Sequence, residues 1–219
     1  MSIALSLGNN LTTGGIFKPT AVNNTSVNNV TDFAGITGGG TLVLISEQTA
    51  SASASISFTT GIDSTYDEYV FKFINMHPAT DTAGFQFNLS IDGGSNYNVT
   101  KTTTLIIAYQ FENDSGGILE YRGEQDLAQS TSYQHITRYV GNDNDQSTSG
   151  YLHLFNPSST TYVKHFIASG NMYRADDGSE QGLVAGYGNT TSAINAIDFK
   201  FSSGNIDDGI IKMYGVAKS

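Results

Sequence analysis

The stretch Phe85-Gln86-Phe87-Asn88-Leu89-Ser90-Ile91 alternates apolar and polar positions and runs into Asp92-Gly93-Gly94, after which Tyr97-Asn98-Val99-Thr100 resumes the alternation. Side chains on a strand point to opposite faces with a period of two. The pattern therefore predicts a β-hairpin with one dry face and one face of short uncharged polar groups in water. The theme recurs, and strands are expected over residues 42–46, 52–58, 69–76, 84–91, 97–109, 134–139, 150–155, 162–168, 183–187, 194–201 and 209–216. The long strand 97–109 is expected to carry a bulge near Lys101. Only Asp126-Leu127-Ala128-Gln129 hints at a helical turn. Eleven strands and no helix predict an all-β fold, an antiparallel sandwich of jelly-roll type.

Turn chemistry supports that reading. Asp92-Gly93-Gly94, Ser115-Gly116-Gly117, Asn156-Pro157-Ser158-Ser159, Asp176-Asp177-Gly178 and Asp207-Asp208-Gly209 supply positive φ or pre-set turns, and each is read as a chain reversal. Phe58, Phe71, Phe73, Phe85, Phe87, Phe155, Phe166, Phe199 and Phe201 occupy alternating strand positions and are expected in the core. Residues 1–40 differ: Gly8-Asn9-Asn10, Gly14-Gly15, Asn23-Asn24, Asn28-Asn29 and Gly38-Gly39-Gly40 interrupt short apolar pieces. Ile16, Phe17, Val27, Val30, Phe33 and Ile36 would be wasted on a linker, so an extended assembly arm is expected over 1–40, ahead of a sandwich domain over 41–219.

Composition narrows the function. The formal charge of −10 with ten scattered Lys and Arg argues against nucleic acid and anionic membrane as partners. Charged residues make up only 14% of the chain, so the surface is one of Ser, Thr, Asn, Gln and Gly. There is no cysteine, which removes disulfides, thiolate metal sites and a cysteine nucleophile. The first residues lack the basic flank and apolar run of a signal peptide, so synthesis in a cytosol is expected and the Asn-x-Ser/Thr triplets at Asn24, Asn98 and Asn189 are not read as glycosylation sites.

No motif announces catalysis. A glycosidase needs two carboxylates at a set separation, but Asp176-Asp177 and Asp207-Asp208 precede glycines and read as turns, while Asp67-Glu68 would point to opposite faces of a strand. Of the histidines at 77, 135, 153 and 165, His153 and His165 meet across a hairpin if Asn156 pairs with Tyr162, and face apart if it pairs with Thr161. Either way two ligands do not make a metal site. Asn142-Asp143-Asn144-Asp145 and Asp176-Asp177-Gly178-Ser179-Glu180 put oxygen donors in loops without the spacing of a calcium loop. No enzyme activity, cofactor or metal is expected. Tyr97, Tyr121, Tyr139, Tyr173 and Tyr187, near turns, are the candidates for stacking on glycans or packing at subunit contacts.

Three segments add a resemblance. Ile56-Ser57-Phe58-Thr59-Thr60-Gly61-Ile62-Asp63-Ser64-Thr65-Tyr66-Asp67-Glu68-Tyr69, Asp92-Gly93-Gly94-Ser95-Asn96-Tyr97 and Ser203-Gly204-Asn205-Ile206-Asp207-Asp208-Gly209-Ile210-Ile211-Lys212-Met213-Tyr214-Gly215-Val216 resemble virion structural proteins of marine tailed bacteriophages, of tail-fibre-like or decoration type. The likeness covers roughly residues 41–219 and brings no catalytic residues. It implies a β-sandwich on the particle exterior, made in the host cytoplasm, in a tail appendage or as a head decoration. It also implies a homo-oligomer, a trimer by analogy, that meets other virion proteins through the arm. A carbohydrate-binding adhesin recognising host surface glycans and a polysaccharide depolymerase are the alternatives.

Overall fold

Twelve strands build two antiparallel sheets in the computed structural model, which describes residues 42–217. The expected arm over 1–40 lies outside the described residues. The strands are β1 (Leu42–Thr49), β2 (Ile56–Phe58), β3 (Glu68–Pro78), β4 (Phe85–Ser90), β5 (Lys101–Phe111), β6 (Gly117–Tyr121), β7 (Gln134–His135), β8 (Thr148–Phe155), β9 (Lys164–Arg174), β10 (Gly178–Gly188), β11 (Ala196–Phe201) and β12 (Ile206–Val216). The wide sheet runs β1-β12-β3-β8-β9-β10-β5-β6 and the narrow one β2-β11-β4-β7. The chain changes sheet at β1/β2, β2/β3, β3/β4, β4/β5, β6/β7, β7/β8, β10/β11 and β11/β12, while β5 and β6 stay together. That is jelly-roll winding. Its eight strands are β1-β12-β3-β8 in the wide sheet and β2-β11-β4-β7 in the narrow one, and β9, β10, β5 and β6 extend the wide sheet beyond β8.

The core is where the alternation puts it. Phe85, Phe87 and Leu89 of β4 stand opposite Phe201, Phe199 and Ile197 of β11, all fully buried or nearly so. They meet Phe71 and Phe73 of β3, Leu152 and Leu154 of β8, Phe166 of β9 and Val184 of β10 from the wide sheet. Ring pairs hold the two layers in tilted and edge-on contact: Phe71–Phe199 at 5.6 Å, Phe73–Phe85 at 5.1 Å and Phe87–Phe166 at 5.0 Å. Phe155 departs from expectation. It sits on the outward phase of β8 and is half-buried.

A row of glycines shapes the centre of the wide sheet. Gly150, Gly170 and Gly182 are direct neighbours across β8, β9 and β10. A Cβ on Gly182 would come within 2.3 Å of the Ile136 carbonyl, and one on Gly170 within 2.6 Å of Thr137 Cγ2. The missing side chains let the chain after β7 lie close to the sheet.

Several expected elements differ. The hairpin across Asp92-Gly93-Gly94 does not form as a strand pair: the turn is present, with Gly93 at φ 71° and Gly94 at φ 88°, but 97–100 is not a strand and β4 pairs with β11 and β7 instead. Its polar phase is not in water either, because Gln86, Asn88 and Ser90 are buried. The bulge expected near Lys101 is replaced by a strand start, and β5 then pairs with β10 without a shift. At 126–129 there is no helical turn; Leu127 O instead accepts from the Thr103 amide. Asp207-Asp208-Gly209 is not a reversal but a bulged part of β12, with Gly209 at φ 131° and register shifts on both sides of Asp208. The reversal lies earlier, at Gly204. β6 has no counterpart among the expected strands.

Candidate functional site

The outer face of the wide sheet from β8 to β6 is the candidate surface, and its chemistry follows from strand phase. From β8 to β6 the outward positions are Ser149, Tyr151, His153 and Phe155; His165, Ile167, Ser169, Asn171 and Tyr173; Ser179, Gln181, Leu183, Ala185 and Tyr187; Thr102, Thr104, Ile106, Ala108 and Gln110; and Leu119 with Tyr121. None is Asp, Glu, Lys or Arg. The ladder registers align them in transverse rows, one being Tyr151–Ser169–Leu183–Ile106–Tyr121. Tyr151, Ile167, Leu183, Ile106, Leu119 and Tyr121 are all exposed. In a chain of net charge −10 this band is free of charge, whereas the same face of β3, β12 and β1 carries Glu68, Lys72, Lys212 and Glu47.

At one end of this face a cavity of about 500 Å³ is lined by Thr102, Thr104, Phe155, His165, Ile167 and Tyr187. His165 and Tyr187 are direct neighbours across β9 and β10, with ring centroids 6.1 Å apart. His153 pairs with Ile167, so His153 and His165 share this face as diagonal neighbours, in a register different from both considered from sequence. His153 is engaged elsewhere, since its Nδ1 contacts the Glu68 carboxylate. No group of three or more His, Asp or Glu among the described residues is placed to hold a metal ion.

The five sequence-selected tyrosines do not form one cluster. Tyr121, Tyr173 and Tyr187 lie on the wide outer face, in separate rows. Tyr139, at φ 51°, has the guanidinium groups of Arg138 and Arg174 against its ring at 4.7 and 5.3 Å. Tyr97 packs under the Asp92 turn, its backbone carbonyl accepting from Asn88 Nδ2 at 2.6 Å. Residues missed from sequence are Tyr151, Ile167, Leu183, Ile106 and Leu119. Each is an apolar residue on the outward phase of its strand, a signal that reads as core until the sheet is assembled.

The polar phase of the narrow sheet makes a second, enclosed cluster. Asn88 stands opposite Asp198, and Gln86 opposite Lys200. Asp198 accepts from Ser57 Oγ at 2.5 Å and Tyr133 OH at 2.9 Å, and burial pushes its carboxyl above the ordinary value. Burial likewise raises the phenols of Tyr133 and Tyr97. Gln86 Nε2 donates to His135 Nε2 at 2.6 Å, and burial lowers that imidazole. A cavity of about 520 Å³ opens beside Tyr133, His135 and Lys200, with Glu124 and Asp126 on its rim. The Asp126 carboxylate is held by Tyr121 OH, so this rim does not present two free carboxylates. The oxygen donors of the second loop weighed for calcium are also engaged: Arg174 takes Asp176, and Arg138 with Arg174 takes Glu180.

Two lysines close one end of the sandwich. Lys101 and Lys164 flank Gly188 on β5 and β9 and are fully buried. Lys101 Nζ donates to Asn88 Oδ1 and to Val99 O at 2.8 Å, and Lys164 Nζ to Tyr162 O at 2.7 Å and Thr190 O at 3.2 Å. These partners are neutral, so burial lowers both ammonium groups, Lys101 to about 7 from an ordinary 10.5. Between those two values the unfolded chain binds a proton at Lys101 that the folded chain does not. Stability therefore rises with pH across this window, by up to about 1.4 kcal/mol per unit, while below it the cost is constant. Comparison of wild type with Lys101→Met by urea unfolding from pH 7 to 10 is expected to show the difference moving in favour of wild type as pH rises. A flat difference would refute the assignment.

No family model matches this chain, and neither a curated protein nor a solved structure matches it. Among the described residues no helix is long and apolar enough to cross a membrane.

Proposed function

We propose that this chain is a virion structural protein of a bacteriophage, an exterior β-sandwich that serves as a tail-fibre or appendage component or a head decoration, and that works by surface contact rather than catalysis. The observation that carries the reading is the outer face of β8, β9, β10, β5 and β6, an uncharged surface with exposed Tyr151, Ile167, Leu183, Ile106, Leu119 and Tyr121 on a strongly acidic chain. The resemblance of 41–219 to virion proteins, the cysteine-free composition and the spaced apolar residues of 1–40 support it. Under this reading the chain is made in the host cytoplasm, assembles with copies of itself, a trimer by analogy, and reaches other virion proteins through the arm.

Immunogold labelling of intact particles with antibody to this chain tests it. Label along the tail or its fibres is expected for an appendage and label over the head for a decoration; particles without label overturn the proposal. The adhesin reading keeps one specific support, the cavity beside Phe155, His165, Ile167 and Tyr187, whose rings suit a sugar face. If glycans bind there, Tyr187→Ala abolishes retention on a glycan array while leaving the fold intact. Retention unchanged in that variant removes the cavity from consideration.

A further inference from the structure

β6 ends the wide sheet and, among the described strands, is hydrogen-bonded to β5 alone. The phase of its ladder determines which backbone groups are left over. The Phe111 amide donates to Gly116 O and the Arg122 amide to Leu105 O, in the same register that pairs Ile118 with Tyr109 and Glu120 with Ile107. Antiparallel pairs alternate between bonded and non-bonded. Ile118 and Glu120 thus bond to β5, and the N–H and C=O of Gly117, Leu119 and Tyr121 point to the open edge.

Among the described residues this edge lacks several of the usual protections against strand addition. Its register shows no bulge, its sequence has no Pro or Lys, and Leu119, at 74% exposure, is the most exposed large apolar side chain among the described residues. The strand's one charge, Glu120, is already paired with Arg122 of the same chain. Charge decides the occupant. Two copies at −10 repel over most of their surface, whereas here the approaching strands bring no unpaired charge, and the apolar row Leu183–Ile106–Tyr121 leads up to the edge from inside the sheet. A basic partner would find no unpaired carboxylate on the strand itself.

We propose that a second copy of this chain adds at this edge, β6 to β6 and antiparallel, about a twofold axis through Leu119. Leu119 then exchanges both backbone hydrogen bonds with its own mate, and Gly117 of each copy exchanges them with Tyr121 of the other. The outer faces of the two wide sheets join into one, with the Leu119 side chains in contact on it. This is an isologous contact, which closes at two copies, and it is separate from the contact that would join the copies of a trimer. It rests on the chain being an assembling structural protein, but it is tested on purified full-length chain, so its failure leaves the particle-labelling result standing and the reverse.

The chain has no cysteine, so a single introduced one reports only on its own mate. In a bonded antiparallel pair the two Cα atoms lie about 5.5 Å apart, within disulfide range. Leu119→Cys is expected to give a covalent dimer under mild oxidation, and Leu183→Cys, exposed two strands inward, is expected to give none. Leu119→Lys places two ammonium groups across the axis and is expected to weaken association by more than about tenfold in sedimentation equilibrium, with an unchanged melting curve at concentrations where both chains are monomeric, because the side chain is then in solvent. A wild-type chain that stays monomeric at high concentration overturns the proposal. So does equal cross-linking at residues 119 and 183, or a Leu119→Lys variant that associates like wild type.

Discussion

Glu180→Ala is expected to cost about 3–5 kcal/mol of folding stability, read as a fall in the denaturant midpoint at unchanged slope. Glu180 is fully buried on β10. Its Oε1 accepts from Arg138 Nε at 2.7 Å, and its Oε2 from Arg138 Nη2 at 3.2 Å and from Arg174 Nη1. Arg138 is itself buried, and without Glu180 its one remaining hydrogen bond is a long one to Gln125 Oε1 at 3.4 Å, beside its contact with the Tyr139 ring at 4.7 Å. Arg174 is better provided for: Asp176 binds its Nε and Nη2, both at 2.7 Å, and its guanidinium lies over Tyr109 at 4.9 Å. The cost therefore comes mainly from stranding Arg138. It follows that Arg138→Met in the Glu180→Ala background recovers part of the loss, since it removes the uncompensated charge. A loss below about 1 kcal/mol, or no recovery in the double variant, would show that the pair is not desolvated in solution.

Phe199→Ala is expected to lose a similar amount, about 3–5 kcal/mol, through a cavity between the sheets. Phe199 is fully buried and lies within ring contact of Phe58, Phe71, Phe85 and Phe87, at 6.4, 5.6, 5.9 and 6.5 Å. These neighbours belong to β2, β3 and β4, so the ring ties three strands from both sheets to β11. Thermal unfolding is the direct check, and a drop of less than a degree or two would mean that the neighbouring rings collapse into the space. Phe155→Ala is the natural control, because that ring sits half-buried on the outer face and its loss leaves no enclosed void.

How much of this is legible without the fold varies by element. Alternation identifies Phe85, Phe87, Phe199 and Phe201 as core because the period of two is a local property of extended backbone. It misplaces Phe155 because the same alternation, on a sheet whose outer face is itself apolar, does not say which phase is inward. β6 escapes notice since Gly117-Ile118-Leu119-Glu120-Tyr121 is short, and its pairing with β5 is recognisable only from a register that Gly116 begins. The candidate tyrosines are singled out for lying near turns, whereas the outer face is assembled from mid-strand residues of β5, β8, β9 and β10.

Sequence alone determined that the chain is an all-β sandwich, which strands carry its core and where most reversals fall, since strand phase and turn conformation depend on residues close together. The tertiary structure decided the partners. β4 gives up the neighbouring 97–100 for β11, more than a hundred residues on, because a turn does not choose a strand's neighbour. Phe85, Phe87 and Leu89 line up with Phe201, Phe199 and Ile197 only when β4 and β11 lie side by side. The fold also decided the fate of the polar phase of β4, which is enclosed with Tyr97, Lys101 and Tyr133, and it left the uncharged outer face of β8, β9, β10, β5 and β6 and the edge of β6 open. Such outcomes depend on contacts between residues distant in the chain, and a local pattern carries no information about them.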